Sequence, residues 1–78
     1  MLSGYAAMQP EEIEMLQRVY KSILKEEWFD RTRENERDFA RSIISMFQQG
    51  MTDEDRLFIE SLSVARAKYC RVVPAVLP

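Results

Sequence analysis

The stretch Phe39 to Leu62, FARSIISMFQQGMTDEDRLFIESL, decides the fold. Its first half sets Phe39, Ala40, Ile43, Met46 and Phe47 on one face at the period of an α-helix, with Ile44 on a flank. Gly50 then supplies the residue type that takes a left-handed helix stop at least cost, after which Met51 can fold back on the last turn. Thr52 reads as the N-cap of a following helix. Asp55, three residues on, makes a short-armed capping box, and Asp53, Glu54 and Asp55 all favour the positive end of the helix dipole. A helical hairpin results, with helices over about 33–49 and 53–70.

Working outward, the third helix is expected to bury Phe58, Leu62, Ala65 and Tyr69, while Leu57 and Val64, seven residues apart, fall on a separate line. Upstream, Pro10 suits a first helical position and is followed by Glu11 and Glu12, so a first helix is predicted over about 10–27. Ile13, Leu16, Tyr20, Ile23 and Leu24 form its core face, Glu14 is spaced to pair with Arg18, and Met15 and Val19 widen the apolar arc. Trp28 and Phe29 read as a lid on the bundle end. Asp30, Arg31 and Thr32 make the turn, with Thr32 as N-cap and Asp30 as its rival. The expected fold is all-α, a compact three-helix bundle forming one domain over 1–78, with an arm at 1–8 and an apolar tail, RVVPAVLP, at 71–78. Pro74 ends any helix by Val73.

The chain has 78 residues, of which 46% are hydrophobic and 31% charged, a globular rather than a disordered profile. A domain of this size buries only about 60% of its unfolded surface, so its stability alone is marginal. Cys70 is the single cysteine and there is no histidine, which removes intrachain disulfides and argues against a zinc site. The net charge of -2 gives no global attraction for phosphate or anionic lipid. The opening MLSGYAAM lacks the basic and apolar segments of a secretory signal, and no apolar run is long enough to span a membrane. A cytoplasmic setting is therefore expected.

No residue pattern supports catalysis or a cofactor: without histidine, no carboxylate, tyrosine, lysine or cysteine has a convincing partner, and the chain is expected not to be an enzyme. Cys70 reads as a partly buried small hydrophobe. The acidic groups at 11–14, 26–30 and 53–55 match neither a calcium loop nor a bundle di-metal site, and two of them sit at helix starts, where the dipole explains them. Arg33, Arg37 and Arg41 recur every four residues with Arg31 just upstream, a row that could meet a nucleic-acid backbone. Against that use, Glu34 and Asp38 are interleaved, and the helix after the turn opens with three acids that phosphate would repel.

What remains is apolar surface. Met15, Val19, Ile44, Leu57 and Val64, with Val72, Val73, Val76 and Leu77 of the tail, exceed what one side of a three-helix core needs. They predict either a tail folded over its own chain or an interface with a second copy or another protein. The expected function is that of a small interaction or regulatory module, homodimeric and acting through helix packing, with the arginine row as the alternative.

The pattern AxxIIxMFQQGMTDED, Ala40 to Asp55, resembles one found in short bacterial helical proteins of unknown function, in which a helix ending in Phe-x-x-Gly leads into an acid-capped helix. The resemblance spans about residues 13–62. It implies a small cytoplasmic bacterial helical domain and carries no catalytic or binding residues.

Overall fold

The computed structural model describes residues 8–71. Three helices follow one another, α1 (Pro10–Leu24), α2 (Arg33–Gln48) and α3 (Glu54–Lys68), and each packs against the other two. The fold is the expected all-α three-helix bundle. The predicted arm and tail lie outside the described residues except for Met8, which packs on the core, and Arg71.

Local signals place most helix ends. Pro10 stands at the start of α1, and the Glu12 carboxylate accepts from the Gln9 backbone N–H at 2.9 Å, closing the first turn. Thr32 caps α2 by accepting from the Asn35 N–H at 3.0 Å. Its rival Asp30 helps through its carbonyl oxygen, which accepts from the Asn35 amide at 2.8 Å. After α2, Gly50 has φ 111°, Met51 N–H donates to Met46 at 3.1 Å and Gly50 N–H to Phe47 at 3.0 Å. This pair of bonds is a Schellman stop. One cap shifts: Asp53, not Thr52, closes the start of α3, its carboxylate accepting from the Arg56 N–H at 2.9 Å. A carboxylate directly before the acidic turn Glu54–Asp55 makes the stronger, charge-assisted cap.

The first helix ends three residues short of the expectation. Glu26 N–H bonds to Ile23 and Phe29 N–H to Glu26, both at 3.1 Å, so the chain tightens into turns after Leu24. Those turns swing Phe29 into the core, where it is 1% exposed. An aromatic cluster forms around it, with ring centroids 5.4 Å from Phe39 and 5.6 Å from Tyr69, while Tyr20 stacks on Phe39 at 5.8 Å. Phe29 and Cys70 also form an antiparallel bridge, with Asp30 N–H to Tyr69 at 2.8 Å and Arg71 N–H to Trp28 at 2.6 Å. The α1–α2 linker is thereby tied to the chain leaving α3.

The core departs from the predicted stripes on α1 and α3. Met15, Val19 and Leu57, assigned by their spacing to an outer interface, are buried in the core of the chain itself. Helix α1 faces α2 with one side of its arc and α3 with the other, so it needs the wider arc that two neighbours cover. On α3 the deepest line is Leu57, Ser61 and Ala65, while Phe58 and Leu62 are only half-buried. Helix α3 sits over the seam between α1 and α2. Small side chains at Ser61 and Ala65 let its backbone approach, and the larger Phe58, Leu62 and Val64 splay to the two flanks.

Candidate interaction surface

Helix α3 covers one side of the α1–α2 seam, and the opposite side carries an apolar groove of about 140 Å³. Buried Leu16 and Ile43 form its floor, with Ile13 and Tyr20 of α1 and Ala40 and Ile44 of α2 as its walls. Met8 and Gln17 also line it. The depression exists because Ala40 is small where its helical neighbours along the wall, Arg37 and Ile44, are long. The Tyr20 hydroxyl donates to the Glu36 carbonyl at 3.3 Å, which pins the ring against Phe39 at the closed end of the groove. Burial raises the Tyr20 hydroxyl above its ordinary pKa, and the nearby Glu36 carboxylate adds to that shift.

The groove has two electrically different ends. Helices α1 and α2 run antiparallel here, since Tyr20 meets Glu36 while Ile13 and Ile44 share the other end. By helical position, Gln17 and the exposed Glu14 and Lys21 border the groove on α1, and exposed Arg33 and Arg37 border it on α2. Glu14 thus stands at the Ile13–Ile44 end. Lys21, Arg33 and Arg37 stand at the Tyr20 end.

The residues singled out from the sequence are distributed over three places. Ile44 lies in the groove, half-buried. Val64 is half-buried on the flank of α3, beside a shallow polar depression shared with Asp38, Arg41, Ser42 and Lys68. Met15, Val19 and Leu57 are in the core, and Val72, Val73, Val76 and Leu77 lie outside the described residues. Five groove residues, Ile13, Leu16, Tyr20, Ala40 and Ile43, read as core from periodicity. The signal that could have separated Ile13, Tyr20 and Ala40 is that they fall, with Gln17 and Ile44, on the side of their stripes away from the α3-facing Val19 and Met46.

The arginine row also divides. Arg31 pairs with Glu36 at 3.1 Å. Arg33 and Arg37 border the groove, whereas Arg41 leans toward α3. Arg33, Arg37 and Arg41 are exposed, and no ion pair to them occurs among the described residues.

Two further expectations change, at Arg18 and Cys70. Arg18 reaches across to α3 and makes a bidentate pair with Glu54, at 2.9 and 3.1 Å, instead of bonding to Glu14. The Arg18 guanidinium holds the Glu54 carboxyl below its ordinary pKa, first through these hydrogen bonds. Cys70 is exposed, not partly buried, and its neighbour Tyr69 takes the inward position. Trp28 is half-buried and carries the Arg66 guanidinium 4.8 Å from its ring centroid. Ser61 is 0% exposed and its hydroxyl has no hydrogen-bond partner among the described residues.

Among the described residues, no group of three or more metal-ligating side chains converges, and no helix is long and apolar enough to cross a membrane. No protein-family model matches the chain, and neither a curated protein nor a solved structure shows significant similarity to it.

Proposed function

We propose that this chain is a non-enzymatic protein-interaction module that receives an apolar helix in its α1–α2 groove. The observation that carries the reading is the groove itself: an apolar floor and walls with charged residues on both borders. Its volume of about 140 Å³ is well under the roughly 300–1,000 Å³ of small-molecule sites, and suits one or two inserted side chains. Amphipathic helices are bound in this way, with anchors at i, i+3 and i+4. In this reading the module works in the cytoplasm, in keeping with the bacterial helical proteins that Ala40–Asp55 resembles.

Photo-crosslinking tests it. A benzophenone amino acid at Ile44 is expected to give covalent protein adducts in the native cytoplasm, while the same group at Ile59, 60% exposed on the outer face of α3, gives none. Adducts at neither position, or equally at both, would remove the groove from consideration.

Exposed Arg33, Arg37 and Arg41 support a second reading, a regulator that contacts nucleic acid. Reversing the charge of Arg37 and Arg41 is then expected to abolish binding to duplex DNA or RNA at low salt. A parent protein that binds neither excludes this reading.

A further inference from the structure

We propose, resting on the grooved face as a docking site, that its partner is a second copy of this chain, related by a two-fold axis that crosses the helices, so that grooved face meets grooved face. In this arrangement α1 lies antiparallel to α1 of the copy, and α2 antiparallel to α2. Two-fold packing makes one surface its own complement, so the charge pattern of a face selects the axis.

Only two axes in the plane of the groove would lay its helices along one another. An axis parallel to the helices would set each α1 over α2 of the copy, with like ends together. Lys21 would then face Arg33 and Arg37, three cations converging at the Tyr20 end. An axis across the helices reverses the ends. Glu14 of one copy then meets Lys21 of the other, twice over by symmetry. This is charge complementarity of the chain with itself.

The residues at the centre suit the same axis. Tyr20 opposite Glu36 and Ile13 opposite Ile44 put Gln17 level with Ala40, midway along the groove. An axis there brings Gln17 against Gln17 of the copy, where two primary amides can exchange hydrogen bonds. It also brings Ala40 against Ala40, small enough for the two α2 helices to close on each other. Ile13, Tyr20 and Ile44 then fill the space to either side. For a domain of 78 residues, covering this face also adds buried area where a single core is thin.

Sedimentation equilibrium on the full chain, from micromolar to millimolar concentration, tests the proposal. Glu14 and Lys21 are exposed, so substitutions there leave the fold intact, which thermal melting of the dilute monomer checks. The expected mass is that of two chains. Lys21→Glu is expected to weaken dimerisation about tenfold or more, because two attractive contacts become repulsive. Adding Glu14→Lys to Lys21→Glu is expected to restore it by exchanging the signs. Ile44→Asp is expected to yield monomers.

A chain that stays monomeric at millimolar concentration overturns the proposal. So does a double variant no better than Lys21→Glu, which rejects the axis, or an Ile44→Asp variant that remains dimeric, which puts the contact elsewhere. Dimerisation that appears only after deletion of residues 1–7 would make that segment the occupant. A monomer whose Ile44 photoprobe captures a different protein overturns the second copy but leaves the docking groove standing. A monomer that captures nothing removes both.

Discussion

The backbone N–H of Arg71 donates to the carbonyl oxygen of Trp28 at 2.6 Å, which fastens the chain leaving α3 to the linker between α1 and α2. With the Asp30 to Tyr69 bond, 2.8 Å long, it clamps two non-helical segments across 40 residues of sequence. Phe29 and Tyr69 point inward from this clamp, their ring centroids 5.6 Å apart and their planes tilted by 37°. Phe29→Ala is expected to cost about 3–5 kcal/mol, the range for emptying a fully buried aromatic site. Arg71→Pro, which removes the N–H donor and fixes φ there, should cost about 1 kcal/mol. Urea unfolding midpoints check both, and equal losses would mean that the bridge, not the ring, holds this end together.

The start of α3 distinguishes two adjacent candidates for one cap. Asp53→Ala is expected to destabilise by about 1 kcal/mol, since its carboxylate accepts from the Arg56 N–H and faces the helix dipole. Thr52→Ala, at an exposed position whose side chain makes no cap bond, should change stability by less than about 0.5 kcal/mol. Thermal melts of the two variants decide the order.

Ser61 is a buried hydroxyl without a partner among the described residues. Removing it takes away a desolvated polar group and little volume, so Ser61→Ala should stabilise by about 1 kcal/mol. Ser61→Leu should destabilise by about 1–3 kcal/mol, because α3 would have to lift off the α1–α2 seam. Chemical denaturation of both reports whether close approach or the hydroxyl is what the position requires.

Tyr69 and Tyr20 predict a loss of stability in alkali. Burial raises both hydroxyls above the ordinary value of 10.0, and at Tyr69 the Asp38 carboxylate, which accepts from the hydroxyl at 3.2 Å, adds to the shift. The folded state therefore holds these protons more tightly than the unfolded chain. Their contribution is intact below pH 10 and is lost as pH rises through the folded values. The urea midpoint should fall above that pH, and the Tyr20→Phe/Tyr69→Phe double variant should fall less steeply.

The local punctuation of this chain was legible without coordinates. Pro10, Thr32 and Gly50 act through their own backbone preferences and nearest neighbours, so three helices and their order follow from residues within a turn of each boundary. The split between core and surface was not legible in the same way. Met15, Val19 and Leu57 are apolar at positions off the main stripe, a pattern equally consistent with a third helix or with a partner. Periodicity reports that a face is apolar, not what covers it, and only the placement of α3 over the α1–α2 seam made those residues core. The same placement left Ile13, Tyr20, Ala40 and Ile44 uncovered on the far side. It also turned Arg18 from Glu14 to Glu54. Helix ends were set by interactions over three to five residues, whereas the groove, the Phe29–Cys70 bridge and the inward turn of Tyr69 join residues 16 to 41 apart, which no local preference specifies.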